Sequence, residues 1–213
     1  MNEAGYFRAR FTADDQRDRI WQVIAGYLQK YVDMDARVAD IGAGYCSFIN
    51  NITCGEKHAV DAYPGFTAWA RPGVNVHVAP SYDMPFLASE SLDVVFSSNL
   101  LEHLTYEELG QTFKEFRRIL KKNGRVILLS PNYKYCYRDY FDDYTHRTPL
   151  SHVGVCDWLR SLDFVIELSA PRFLPFSFKS ILPKTKILVW LYLHSPVKFL
   201  GKQMLIIARK NGD

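Results

Sequence analysis

Val38-Ala39-Asp40-Ile41-Gly42-Ala43-Gly44-Tyr45-Cys46 is an apolar strand running into a glycine turn, and Asp61 closes the next apolar run, His58-Ala59-Val60. Together they describe one site: glycines let backbone approach a ligand, and a carboxylate at the neighbouring strand tip suits a ribose diol. A Gly-x-Gly alone is weak, because glycine turns join strand to helix in many α/β proteins. Asp40 sharpens the reading. In dinucleotide folds a pyrophosphate sits at this turn, and a carboxylate crowding it would be repulsive. Asp40 therefore points to a ligand that is cationic here and carries no phosphate.

On these residues the chain resembles the class I S-adenosylmethionine (SAM)-dependent methyltransferases. The family's Asp/Glu-x-Gly-x-Gly-x-Gly motif matches Asp40, Gly42 and Gly44, with Cys46 where the third glycine usually stands. That glycine is read as a helix–strand packing position, which a small Cys can fill. The resemblance continues through Asp61 and through Ser91 to Leu104, which is similar to the family's fourth strand and its Leu-Glu-His. Gly124 to Asn132 is similar to the fifth strand. The match covers roughly residues 35–132 in order. It identifies the superfamily and leaves the substrate open.

At 213 residues the chain is expected to be a single domain, 1–213, with insertions at about 131–150 and 174–201. Apolar content of 48% and charged content of 23% are ordinary for a globular protein. No apolar run approaches the ~20 residues that span a bilayer, and Met1 to Arg10 lacks a signal-peptide core. Cys46, Cys54, Cys136 and Cys156 show no C-x-x-C spacing, so reduced thiols and a cytoplasmic location are expected. The net charge of +3 is uneven: after Glu167, eight Lys and Arg face only Asp213. They interleave with Phe173, Phe176, Phe178, Trp190 and other large apolar residues. Two readings stand: a helix packed on the sheet with its lysines in water, or peripheral contact with the inner membrane face.

The pattern predicts a Rossmann-like α/β fold: a seven-stranded, mostly parallel sheet with an antiparallel edge hairpin and helices on both faces. An amphipathic helix is expected over Arg17 to Tyr31, then strands at about 37–41, 57–61, 74–78, 92–97 and 125–130. Thr105-Tyr106-Glu107-Glu108 reads as a capping box, and Lys121 to Gly124 as that helix's end. Ser151 to Leu162 reads as another helix, with strands at 164–168 and 203–208. Pro131 to Pro149 and Leu174 to Gly201 are long connections placed to grip a substrate near the carboxyl ends of the strands.

The resemblance assigns cofactor contacts to Asp40, Gly42, Ala43, Gly44, Asp61, Ala62, Ser81, Tyr82, Ser97, Ser98 and Asn99, with S-adenosyl-L-homocysteine as the product. Asp40 would meet the ammonium end and Asp61 the ribose hydroxyls. Tyr63 flanks the adenine or is a surface aromatic. Relatives bind adenine's amino group with an acidic residue about five positions before a Leu-Pro-Phe-like segment. Pro80 stands there in this chain, so Ser81, Tyr82 or Asp83 would substitute. The Asn/Asp-Pro-Pro-Tyr segment of enzymes acting on nucleobase or glutamine amides is absent, and no nucleic-acid partner is expected. Catechol-type enzymes carry an acidic metal ligand where Ser98 and Asn99 stand, so no metal is expected either.

Methyl transfer from a sulfonium needs a positioned nucleophile and, for a hydroxyl, a base. His is the natural base at neutral pH. His146 is the first candidate, with Asp143 to orient its ring, or else it caps and orders its loop. His152 and His103 follow; His103 closes the cofactor's methionine end or caps a short helix. His58, His77 and His194 read as structural. The expected activity is O-methylation of a sugar, glycan precursor or other small polar metabolite. The alternatives are N- or C-methylation of a small molecule and a non-catalytic SAM-binding accessory protein. The oligomeric state is not encoded in these patterns.

Overall fold

A computed structural model describes residues 15–175, 185–198 and 200–212. Its centre is a seven-stranded sheet. The strands are β1 (Arg37–Ile41), β2 (Glu56–Asp61), β3 (Val74–Val78), β4 (Leu92–Ser98), β5 (Leu120–Pro131), β6 (Phe164–Leu174) and β7 (Gln203–Lys210). The spatial order is β3-β2-β1-β4-β5-β7-β6. The first five pair in parallel, while β7 runs antiparallel to both β5 and β6. The expected sheet and edge hairpin are both present.

Alternation along the central strands explains the layers. Val94 and Phe96 of β4, Ile127 and Leu129 of β5, and Leu205 and Ile207 of β7 share one face with Ile20, Ile24 and Leu28. Those three belong to α1 (Asp15–Leu28). Val95, Val126, Leu128, Met204 and Ile206 turn to the other face. There they meet Leu109, Phe113 and Phe116 of α2 (Tyr106–Ile119) and Val155 and Leu159 of α3 (His152–Ser161). Strands buried on both sides read as continuous apolar runs, as these do. A further helix, α4 (Lys186–His194), lies against α1. Its Leu193 is buried with the α1 residues, and its His194 ring meets Tyr27 at 5.5 Å.

The capping box forms as expected. Thr105 Oγ1 accepts from Glu108 N at 3.2 Å, and Glu108 Oε2 accepts from Thr105 N at 2.8 Å. Helix α2 nevertheless stops at Ile119, before the Lys121-Lys122-Asn123-Gly124 stretch expected to end it. The left-handed residue there is Asn123, with φ 64, in the first part of β5. A second departure follows β1. Residues 45–51 coil as successive turns instead of a regular helix, held by bonds such as Asn50 N to Cys46 O and Ile52 N to Phe48 O.

The insertion at about 174–201 falls partly outside the described residues, as do Phe176, Phe178, Lys179 and Lys184. Among the described residues no helix is long and apolar enough to cross a membrane.

Candidate active site

The carboxyl ends of β1, β2 and β4 lie side by side, with Ile41 in register with Val60 and Ser97. This brings the glycine turn to Asp61. Asp61 Oδ2 accepts from Gly44 N at 2.9 Å and its Oδ1 from Tyr63 N at 2.9 Å. Each carboxylate oxygen keeps a second lone pair, so the group is pre-aimed and still able to accept two hydroxyls. Burial pushes the Asp61 carboxyl up, and those backbone donors partly restore it. Gly42 has φ +74, and a Cβ there would stand 2.9 Å from Leu100 Cβ. Both facts require glycine.

Cys46 departs from the packing role expected of it. Its φ is 54, the left-handed region, so this position draws on glycine's backbone freedom. A Cys there costs about 1 kcal/mol of strain. Its thiol is buried and pushed up to about 12 by burial and by Asp40 and Asp61.

Asp40 is 2% exposed and accepts one long bond, 3.4 Å, from Ile49 N. Burial first, then the nearby Asp61 charge, push its carboxyl up to about 8, against the lowering effect of Ile49 N. An ammonium placed beside it would reverse that shift. Two carboxylates at a glycine turn fit a ligand with an ammonium and a vicinal diol and oppose a pyrophosphate. Arg17, in the described part of α1, places its guanidinium 4.3 Å from the centre of the Tyr45 ring, next to Gly44. Tyr45 in turn meets Trp69 at 5.1 Å. The sequence reading missed this trio, because Arg17 is one charge in a polar helix start.

The remaining predicted contacts divide. Ala62 is exposed, and Tyr63 lies across Gly65, where a Cβ would meet its ring at 2.5 Å. Ser81 is buried and shares a 2.8 Å hydrogen bond with Thr112 of α2. That bond anchors the segment after β3 on α2. Tyr82 remains half-buried beside it. Ser97 donates to Ile41 O at 2.9 Å, fixing β4 on β1. Ser98 Oγ accepts from Asn99 Nδ2 at 3.0 Å. Asn99 turns the chain with φ 52, and its Oδ1 accepts from Gln203 Nε2 at 2.9 Å. Asn is among the residues that tolerate that backbone best.

Just beyond β4, Glu102, His103 and His146 converge. Their ligand atoms all lie within 4.8 Å of one another, and the two rings are 4.9 Å apart. Arg147 N and Thr148 N donate to Glu102 O at 2.8 and 3.2 Å, stitching the 131–150 connection onto this turn. Glu102 is buried, accepts from Ser130 Oγ at 2.9 Å, and has its carboxyl pushed up to about 7, mainly by burial. Asp143 accepts from Thr145 Oγ1 at 2.6 Å, and Thr145 Oγ1 lies 2.9 Å from His103 Nδ1. Since the hydroxyl donates to the carboxylate, His103 Nδ1 carries the proton and Nε2 the lone pair. His146 Nδ1 lies 2.6 Å from Tyr140 O, so it too carries the proton on Nδ1.

Asp143 was expected to orient His146. Its hydrogen-bonded relay runs through Thr145 to His103, and His146 Nδ1 bonds the Tyr140 carbonyl. His152, the other candidate, lies 3.0 Å from Asn132 Nδ2 at the start of α3. Glu102, the acid of the Leu-Glu-His stretch, carries no assigned role in the sequence reading. The signal was an acid set between Leu100-Leu101 and His103-Leu104, too apolar a setting for a solvated charge.

Residues 39–128 match a family described as methyltransferase domain. This stretch, less than half of the chain, holds the glycine turn, Asp61 and the β4 tip. No curated protein matches the sequence. Among solved structures, a SAM-dependent methyltransferase from Archaeoglobus fulgidus is 20% identical, with TM-score 0.64 over 89% of this chain and 94% of that one. One from Thermotoga maritima, described as a possible histamine N-methyltransferase, is 20% identical, with TM-score 0.68 over 99% and 95%. A third similarity is to a complex of the Haloferax volcanii Trm112 methyltransferase activator with a methyltransferase, 15% identical, TM-score 0.67 over 94% and 100%. At these identities the likeness is one of fold. The carboxylates and glycines at the ends of β1 and β2 suit a ligand with an ammonium and a vicinal diol.

Proposed function

We propose that this protein is a SAM-dependent methyltransferase that acts on a hydroxyl of a small polar acceptor, such as a sugar or glycan precursor. The observation that carries the reading is the pair of oriented imidazoles, His103 and His146, beside the β4 tip. SAM supplies an activated methyl group, so the chain's task is to orient the acceptor and accept a proton. Asp40 and Asp61 hold the ammonium and ribose ends of the cofactor. Arg17 supplies a positive charge for its carboxylate. The acceptor proton passes to an imidazole Nε2: His103 at the half-buried mouth, oriented by Asp143 through Thr145, or the more buried His146 behind it. An amine acceptor would need less help from such a base, which favours O- over N-methylation.

Support for a peripheral membrane location comes from α4. Ile187, Leu188, Trp190 and Leu191 are all exposed, Ile187 by 72%. Trp190 is therefore not a core residue, contrary to the packed alternative, while Leu193 beneath it is. A lipid-linked acceptor would bring such a surface into use.

The test is mass spectrometry of a polar metabolite extract incubated with the protein and SAM. A component heavier by one methylene unit, with its methyl ether intact after acid hydrolysis, supports the reading. A methylated amine or carbon redirects it, and SAM binding without any product makes the chain an accessory protein.

A further inference from the structure

We propose that Glu102, His103 and His146 form a binding site for a borderline divalent cation such as Zn²⁺, Mn²⁺, Fe²⁺ or Co²⁺. No short-range pattern announces it, because His146 lies about forty residues beyond Glu102 and His103, and His103 alone reads as a helix cap. The fold closes that distance. The three ligand atoms already lie within 4.8 Å of one another. Ligands on a tetrahedral ion bound at ~2.0–2.1 Å stand about 3.3 Å apart, a contraction that side-chain rotation supplies.

The surroundings argue for the same role. A metal-binding imidazole donates its second N–H to an oxygen, which fixes the tautomer and aims the lone pair. Both imidazoles do so: His103 Nδ1 towards Thr145 Oγ1, itself held by Asp143, and His146 Nδ1 towards Tyr140 O. Glu102 is held by Ser130 Oγ at 2.9 Å. The three come from two segments tied together at the Glu102 carbonyl, so the site is braced by backbone as well as by side chains. Two imidazoles with one carboxylate are ligands for a first-row transition ion or zinc; magnesium and calcium prefer all-oxygen sets.

Three protein ligands leave positions for the acceptor. The inference deepens the O-methylation reading and rests on it for this role. An acceptor hydroxyl that joins the cation loses its proton to water, and the resulting alkoxide oxygen takes the methyl from the sulfonium, leaving S-adenosylhomocysteine. In the ion-loaded site the imidazoles are ligands and the proton leaves through water; in the ion-free chain they remain the base.

Cobalt(II) titration of the metal-stripped full chain, without SAM or acceptor, tests the site independently of turnover. The proposal expects one cobalt per chain with visible d–d absorption, displaced by zinc. Glu102→Gln and His146→Ala should each weaken binding at least tenfold while S-adenosylhomocysteine affinity and melting temperature confirm the fold. Glu56, His58 and His77 form another imidazole cluster, with His58 Nδ1 3.2 Å from His77 Nε2, so His77→Ala is the control and should leave cobalt binding unchanged. Should either variant fail to fold, substoichiometric Mn²⁺ should broaden the imidazole proton resonances of His103 and His146 in the wild type. No cobalt binding at millimolar concentration, or binding that follows His77 instead, overturns the proposal. A chain that binds cobalt as expected but transfers no methyl keeps the metal site and loses the O-methylation reading.

Discussion

Asp40 and Asp61 are one strand apart and do different work. Asp61 makes its fixed bonds to backbone; if it holds the ribose as proposed, Asp61→Ala should cost roughly 1.5–3 kcal/mol per charge-assisted hydrogen bond lost to the cofactor. Calorimetry with S-adenosylhomocysteine should show that loss, and unchanged affinity would remove Asp61 from the site. Asp40 titrates from about 8 in the free protein. The cationic end of the ligand binds the carboxylate form, so binding releases a proton. Affinity for S-adenosylhomocysteine should rise from pH 6 to about 8 and then level. Linkage also runs through stability. The raised folded pKa means the folded state holds a proton that the unfolded chain has released, so Asp40 lowers stability progressively from its ordinary 3.8 up to about 8. Asp40→Asn should therefore stabilise the ligand-free protein by about 1 kcal/mol or more at pH 8 and less at pH 5, while flattening the affinity profile. Thermal melts at both pH values check this, and equal gains at the two would contradict it.

Among the elements, the 131–150 connection does more than bridge β5 to α3. It carries His146 and the Asp143–Thr145 relay and docks through its backbone on Glu102. Thr145→Val keeps the shape but removes the link to His103. Turnover should fall about 10- to 100-fold with cofactor affinity unchanged, less than the roughly 10²–10⁴-fold expected on losing the base itself. Steady-state kinetics alongside calorimetry would separate this from a folding defect. Helix α2 offers a purely structural comparison: Thr105→Ala should cost about 1 kcal/mol of stability in urea unfolding without changing cofactor affinity. For α4, replacing Trp190 and Leu191 by Ser should reduce sedimentation with anionic vesicles at low salt. If the wild type does not sediment, the exposed residues of α4 have another partner.

At the scale of the whole molecule, what could be read from sequence was whatever depends on short-range pattern. The five parallel strands, the capping box and the Asp40–Asp61 constellation each lie within a few residues of their signal, or at the next strand tip. Glycine-turn chemistry was legible for the same reason, although only the backbone reveals that Cys46 occupies a left-handed position. What escaped was set by contacts distant in sequence. Ser81 finds Thr112 across a helix, Asp143 reaches His103 through Thr145, and Glu102 meets His146 only once the long connection folds over the β4 tip. Arg17 over Tyr45 belongs with them.

The central claim, that this chain transfers a methyl group from SAM to a small polar hydroxyl, is tested most directly by label transfer. Wild-type protein incubated with methyl-labelled SAM and fractionated polar metabolites should pass the label to an ether carbon of one fraction, with matching release of S-adenosylhomocysteine. S-adenosylhomocysteine binding in the absence of labelled product from any fraction would contradict it.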